Sequence, residues 1–176
     1  MTGERLYTRP VMISDRPFME RMTYEAGVAG YRTPPTFDEA REQGQLAKYF
    51  EDWGRPGDGG LIALNGAGKQ LGAAWHRLFP DRYRALGEGP SYTPEVIMAV
   101  NPDNRGQGAG RRLLEALMEQ ARGQGTDRLR LHVLKANTVA LNLYESTGFI
   151  ATDEINLQFG TEAAMGLRMS ARLGVY

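Results

Sequence analysis

The chain has 176 residues, a formal net charge of zero and 41% hydrophobic residues, which is enough to build one globular core. It has no cysteine and only two histidines, so disulfides and thiolate nucleophiles are excluded and a metal site is not expected. The charge balance argues against nucleic-acid binding, and no apolar run approaches the ~20 residues of a membrane span. No apolar leader is visible at the N-terminus. We expect one cytoplasmic domain over 1–176, with no nucleic acid and no membrane as partner.

A strand and a helix are predicted at the N-terminal end. Residues 6–11 have the apolar content of a short strand. Ser14 is predicted to be the N-cap of the helix that follows, with Asp15 placed favourably in its first turn. Apolar residues then recur at helical spacing, and the helix is expected to end near Gly27 or Gly30.

A second helix and a hairpin are predicted next. Thr36 and Glu39 have the spacing of a capping box, in which each side chain accepts from the other residue's main-chain N–H. This pattern predicts a helix over 37–53. The hairpin then has strands at 61–64 and 71–79, joined by a turn at 65–68.

The second half of the chain alternates strands and helices. An irregular connection over 80–93 leads to a strand at 95–100, a helix ending at 123 or 125, a strand at 128–134, a helix at 137–147, and strands near 150–159 and 164–173. The order is β-α-α-β-β-β-α-β-α-β-β. It predicts an α/β (α+β) fold with one mixed, mostly antiparallel sheet of about seven strands, flanked by about four helices.

The most informative segment is the loop between strand 95–100 and the helix that follows it. Pro102 ends the strand, and glycines follow at 106, 108 and 110. A helix N-terminus presents main-chain N–H groups without helical partners, together with the positive end of the helix dipole. Glycines allow a bulky anion to approach that main chain closely. The loop therefore predicts a phosphate-binding cradle.

Two familiar phosphate loops do not match this segment. A dinucleotide-binding fold needs G-x-G-x-x-G tight against a strand, with an acid at the end of the next strand. Here the spacing is G-x-G-x-G, the next strand ends at Lys135, and Asp127 precedes that strand. A P-loop needs Gly-Lys-Ser/Thr, which is absent. A glycine-rich connection that binds nothing remains as the alternative.

Two motifs give the chain a family resemblance. The pattern Arg/Gln-x-x-Gly-x-Gly/Ala is met by Arg105, Gly108 and Gly110, after Val100 and Pro102. A second pattern, N-x-x-A-x-x-L-Y-x-x-x-G-F, is met by Asn137, Ala140, Leu143, Tyr144, Gly148 and Phe149. In these motifs, which span about a third of the chain, it resembles the GNAT superfamily of acetyl-CoA-dependent N-acetyltransferases. The flanking elements agree only in their order.

The resemblance implies that acetyl-CoA is the cofactor and coenzyme A the product. Main-chain N–H groups of 105–110 would wrap the pyrophosphate, and the pantetheine arm would lie along strand 95–100, where this strand splays from 128–134. A main-chain N–H near 98–99 would polarise the thioester carbonyl. The residues expected at the cofactor are Met98, Ala99, Val100, Arg105, Gly106, Gln107, Gly108, Ala109, Gly110, Arg111, Asn137 and Tyr144. Arg112 is an alternative to Arg111 for a phosphate contact.

Two side chains are the candidate catalytic residues. By resemblance, the phenol of Tyr144 would protonate or hydrogen-bond the departing sulfur, although it could instead simply pack its helix on the sheet. Glu95 is the leading candidate for the base that removes a proton from the amine. Alternatives to Glu95 are water and the carboxylates of Asp81 and Glu88. The two histidines are expected to have no catalytic role, with His76 on a strand surface and His132 in the sheet.

The resulting hypothesis is direct transfer of acetyl from acetyl-CoA to a primary amine in a ternary complex. The competing hypothesis is a coenzyme A-binding sensor or structural module without turnover. The acceptor is a small molecule or a peptide, and acyl groups other than acetyl remain open. A homodimer that pairs through an edge strand near the C-terminus is also consistent with the sequence.

Overall fold

The computed structural model describes residues 6–79 and 93–174. Most of the connection expected over 80–93 lies outside these residues, as do the alternative bases Asp81 and Glu88. No helix in the described ranges is long and apolar enough to cross a bilayer.

One seven-stranded sheet organises the described chain. Its strands are β1 (Tyr7–Pro10), β2 (Gly59–Leu64), β3 (Gln70–Arg77), β4 (Glu95–Val100), β5 (Arg128–Leu134), β6 (Ile150–Phe159) and β7 (Glu162–Arg172). They lie in the order β1-β2-β3-β4-β5-β7-β6. Neighbours are antiparallel except β4 and β5, which are parallel. The predicted fold class and element order are confirmed.

Helices cover both faces of the sheet. The α-helices are α1 (Arg16–Val28), α2 (Phe37–Glu42), α3 (Ala109–Gly123) and α4 (Thr138–Ser146). One core lies between α1, α2 and the sheet, and a second core lies between α3, α4 and the other face. The face of α3 that enters its core consists of Leu113, Leu114, Leu117 and Ala121, as the helical spacing predicted.

The second helix is much shorter than predicted. The capping box of Thr36 and Glu39 forms, but α2 ends at Glu42. Gly44 then adopts a φ of 67°, a left-handed conformation in which a helix cannot continue. A single turn of 3₁₀-helix follows at Ala47–Tyr49. The expected helix over 37–53 was therefore wrong in length, because its apolar spacing continues beyond a glycine break.

Two other expectations also fail in the N-terminal half. Ser14 does not cap α1, because residues 13–15 form a 3₁₀ turn ahead of it. The carboxylate of Asp15 instead binds Arg9 at 2.7 Å and accepts from the main-chain N–H of Met12 at 2.8 Å. His76 is not on a strand surface but fully buried. Burial lowers the pKa of this imidazole, so it stays neutral in the core.

The parallel pair β4 and β5 separates almost at once. Their register contains one directly opposed pair, Glu95 and Arg130. Next to it, the N–H of Arg130 donates to the carbonyl of Pro94 at 3.0 Å. Beyond this point the strands diverge, so the sheet has a wedge-shaped gap at their C-terminal ends. The predicted splay is therefore present, and it positions the site.

Candidate active site

A cleft of about 1450 Å³ runs through the gap between β4 and β5. This exceeds the roughly 300–1,000 Å³ of a site for one drug-sized ligand, so there is room for two substrates. One half is lined by the start of α3 and by α4. The other half is lined by the end of α1, by residues 44–51 and by the end of β6.

Strand β4 turns main-chain groups into this gap. Asn101 donates its N–H to the carbonyl of Leu71 at 2.8 Å, and Ala99 lies opposite Ala73 of β3. Since alternate residues of a strand direct their N–H and C=O groups to opposite sides, those of Met98 and Val100 face the gap. The N–H predicted near 98–99 is therefore that of Met98, because the amide of Ala99 faces β3.

The start of α3 forms an anion cradle. Arg112 is the first residue of this helix whose N–H finds a helical acceptor, the carbonyl of Gly108 at 3.1 Å. Among the described residues, none accepts a hydrogen bond from the main-chain N–H groups of 106–111. Gly106 and Gly108 have φ values of 75° and 84°, with open space where a Cβ would lie. These observations fit a pyrophosphate held by main-chain donors.

The cradle starts one residue later than the sequence suggested. The N–H of Arg105 lies 3.4 Å from the carbonyl of Pro102, within the preceding turn. Gln107 is exposed and its side chain does not line the cleft, whereas Ala109 is buried and does line it. Gly110 lies against Leu143, where a Cβ would make ordinary van der Waals contact at 3.5 Å.

The two arginines expected at the phosphates already have protein partners. Arg105 donates from Nε to the carbonyl of Val100 at 3.2 Å and pairs with Glu25 of α1 at 3.1 Å. Arg111 donates to the hydroxyl of Ser146 on α4 at 2.7 Å. Arg105 thus ties the loop to β4 and α1. The main-chain groups are left as the principal phosphate donors.

Tyr144 and Asn137 lie on the cleft wall at α4. Asn137 caps the helix, with Oδ1 accepting from the N–H of Ala140 at 3.2 Å, and its amide NH₂ remains as a donor. The ring of Tyr144 packs on Phe149 with centroids 5.8 Å apart. Its side chain is 8% exposed, and burial raises its pKa to about 12. The phenol therefore keeps its proton at neutral pH.

Glu95 lies where the gap begins, on the side of the sheet that carries α1. Its carboxylate is 3.6 Å from Arg130 and 3.6 Å from Nδ1 of His132. Both Glu95 and His132 line the cleft. Sequence reasoning placed His132 in the sheet but missed its proximity to Glu95, because the two residues lie on different strands and are 37 positions apart in the chain.

Two buried side chains of β3 hold residues 48–51 in place, in the half of the cleft that is lined by α1 and β6. Trp75 donates from Nε1 to the carbonyl of Tyr49 at 2.9 Å. Arg77, fully buried, donates to the carbonyls of Lys48 at 3.0 Å and Glu51 at 2.9 Å. Asp58 pairs with the same guanidinium at 2.7 Å. No local pattern predicts these contacts, because the donors on β3 meet acceptors that are 19 to 29 residues away.

A splayed parallel strand pair that ends at a helix N-terminal anion cradle defines the N-acyltransferase class of α/β proteins. The comparison with known families agrees. Residues 26–149 match the model of the acetyltransferase (GNAT) family. The chain belongs to this family.

Curated relatives include mycothiol acetyltransferases. That of Paenarthrobacter aurescens strain TC1 is 31% identical over 123 residues, covering 66% of this chain and 36% of the relative. That of Saccharopolyspora erythraea is 30% identical over 146 residues, covering 83% of this chain and 43% of the relative. The chain thus spans about two-fifths of the length of these relatives.

Solved structures share the fold at lower identity. A phosphinothricin acetyltransferase from Sinorhizobium meliloti in complex with AcCoA has a TM-score of 0.67 and 20% identity, covering 96% of this chain and 89% of that one. A spermidine N-acetyltransferase from Vibrio cholerae, in complex with CoA and spermine, has a TM-score of 0.66 and 18% identity, covering 97% of each chain. At this identity the likeness shows the fold alone.

Proposed function

We propose that this protein transfers an acetyl group from acetyl-CoA directly to a primary amine, with both substrates bound together. The observation that carries the proposal is the gap between β4 and β5. It offers main-chain groups of β4 along its length and, at its end, the N–H groups of 106–111, which have no acceptor within residues 6–79 and 93–174. An extended, amide-rich ligand with a diphosphate at one end has the complementary chemistry.

Different residues around the gap bind different parts of acetyl-CoA. The N–H groups of 106–111 bind the pyrophosphate, and the main-chain groups of Met98, together with the N–H of Val100, pair with the amides of the pantetheine arm. Asn137 adds a side-chain donor on the opposite wall. Acetyl-CoA supplies the activated acyl group. The N–H of Met98 polarises its carbonyl and stabilises the negative charge that develops on the oxygen.

The amine approaches from the half of the cleft lined by α1 and residues 44–51. An alkylammonium has a pKa of about 10.4 in water and must lose a proton before its nitrogen can attack. Glu95 accepts this proton, directly or through water, and its charge also attracts the ammonium. The C–N bond then forms as the C–S bond breaks, and the sulfur leaves as a thiolate.

Tyr144 stabilises the departing sulfur. A thiol has a pKa of about 8.5, well below the value of about 12 to which burial raises the pKa of this phenol. The phenol therefore keeps the larger share of its proton and acts as a hydrogen-bond donor to the thiolate. The thiolate is then protonated by the proton that the amine released.

The acceptor is proposed to be a small-molecule or peptide amine. The names of similar proteins point to two groups of acceptor worth testing, mycothiol-related amines and polyamines such as spermidine. A cytoplasmic location, a single domain and a homodimer through an edge strand remain predictions from the sequence.

Two measurements test this function. Titration calorimetry with acetyl-CoA and with coenzyme A should give saturable heats, since the cradle serves both. Thiol release from acetyl-CoA should then accelerate when a suitable amine is added from a panel of polyamines, amino-acid amides, peptides and aminoglycosides. No heat with either cofactor would overturn the proposal. Binding without thiol release from any amine would favour the non-catalytic module instead.

A further inference from the structure

A half-buried glutamate joins two loops that are far apart in sequence. Glu162, the first residue of β7, accepts hydrogen bonds from the main-chain N–H of Arg32 at 3.0 Å and of Thr33 at 2.7 Å. It also accepts from the Thr33 hydroxyl at 3.1 Å. We call this contact the Glu162 clasp. It fixes the connection between α1 and α2 on the turn between β6 and β7.

Packing beside the clasp brings the same two segments together. The rings of Tyr31 and Phe159 lie with centroids 6.1 Å apart. On the far side, Pro35 packs so closely on Gly160 that a Cβ there would lie 2.9 Å from the proline ring. The phenol of Tyr24 donates to the carbonyl of Pro35 at 3.0 Å. The clasp therefore completes a defined wall.

This wall borders the half of the cleft that is lined by the end of α1, residues 44–51 and the end of β6. Tyr31 comes from the α1–α2 connection, Phe159 comes from the end of β6, and both line the cleft. If the diphosphate lies on the cradle, the wall of Tyr31 and Phe159 therefore bounds the space left for the amine.

We infer that Glu162 is a positioning residue that sets acceptor specificity, because its clasp closes the amine half of the cleft and favours amines on slender arms. The inference rests on the proposed function. Three hydrogen bonds to one carboxylate restrain a connection that would otherwise sample many conformations. Without them, Tyr31 is free to move away from Phe159. The wall then admits wider acceptors and holds slender ones less well.

The test compares Glu162→Ala with the wild type on two primary amines that differ in width, n-hexylamine and 1-adamantanemethylamine. The ratio of kcat/KM for the slender amine to that for the bulky amine should fall about tenfold, the equivalent of one or two charge-assisted hydrogen bonds. The KM for acetyl-CoA should change less than twofold. An unchanged ratio in an active variant overturns the inference.

Glu39→Ala is the matched control. Glu39 is exposed, and its carboxylate likewise accepts from a threonine N–H and hydroxyl, those of Thr36, at 2.7 and 2.8 Å. It does not line the cleft. Its removal should leave the amine ratio unchanged, so a fall of equal size in both variants also overturns the inference.

Amide hydrogen exchange gives a readout that needs no turnover. Exchange at Arg32 and Thr33 should accelerate in Glu162→Ala, and it should not in Glu39→Ala. Unchanged exchange at both amides overturns the inference even if no amine is ever acetylated. Failure of the proposed function is distinguishable, because it would appear as a wild-type protein that binds neither acetyl-CoA nor coenzyme A.

Discussion

The two halves of the cleft present different kinds of group to a ligand. The cradle half presents main-chain groups, namely the N–H groups of 106–111 and the strand groups of Met98 and Val100. The acceptor half presents side chains and is held in place by other side chains, such as Trp75 and Arg77. Main-chain recognition tolerates many side chains but requires special backbone conformations. Side-chain recognition requires particular residue types but tolerates ordinary backbone conformations.

Substitution of Tyr144 tests the hydrogen bond to the departing sulfur, and it should have the largest effect. Tyr144→Phe removes the hydrogen bond to the departing sulfur while keeping the packing on Phe149. We expect kcat to fall about 100-fold, within the range for a positioned proton donor. The dissociation constant of acetyl-CoA, measured by calorimetry, should stay within about twofold. An unchanged kcat would remove the phenol from the mechanism.

Gly108 tests whether the cradle depends on backbone conformation. Gly108→Ala forces a residue with a Cβ to hold a φ of 84°, which costs about 1–2 kcal/mol or shifts the loop. We expect affinity for coenzyme A to fall about tenfold in calorimetry.

Gly125→Ala is the control for this substitution. Gly125 has a φ of 80° and the same open surroundings, but it lies beyond the far end of α3. It should lose similar stability with no loss of coenzyme A affinity. Equal affinity losses in both variants would mean that strain in general, rather than the cradle, controls binding.

Glu95 tests the contribution of charge in the acceptor half. Glu95→Gln leaves Arg130 and His132 without their carboxylate neighbour, so the local potential becomes less favourable to an incoming ammonium. We expect kcat/KM for the amine to fall roughly tenfold, with the KM for acetyl-CoA unchanged. Glu154→Gln, at an exposed ion pair with Lys135, should leave both parameters unchanged. A loss confined to acetyl-CoA would contradict the assignment of Glu95 to the acceptor half.

His76 sharpens the comparison through stability and should have the smallest effect. Burial lowers its pKa in the folded protein below the value of about 6.5 expected when unfolded. The unfolded state therefore binds the extra proton, and the free energy of unfolding should decrease as the pH falls below about 6.5. The slope from this group is at most about 1.4 kcal/mol per pH unit. Urea unfolding of wild type and His76→Asn between pH 7 and 5 should show a shallower dependence in the variant.

The sequence predicted what local pattern determines. The order of elements follows from apolar spacing, the capping box of Thr36 and Glu39 formed, and the glycines of the loop led to the cradle. The length of the second helix was wrong, because a left-handed Gly44 interrupts a pattern that apolar spacing alone continues. In each case the deciding physics lies within a few residues.

The acceptor half could not be predicted in this way. The Glu162 clasp joins residues separated by about 130 positions, and Arg77 holds carbonyls that any residue type would supply. Burial of His76 depends on the packing of β3 against its neighbours rather than on any spacing in the chain. These contacts exist only after the sheet order is known, so a single sequence carries no signal for them.

The single rung between β4 and β5 also has a mechanical consequence. It leaves the sheet as two plates, β1–β4 on one side and β5, β7 and β6 on the other, fastened at one corner. The core of α3 and α4 spans the seam and acts as its brace. An extended ligand in this gap would hydrogen-bond to the edge of β4 and fill the space beside β5. Such a ligand would connect the two parts of the sheet, so they should unfold together in a single transition when it is bound.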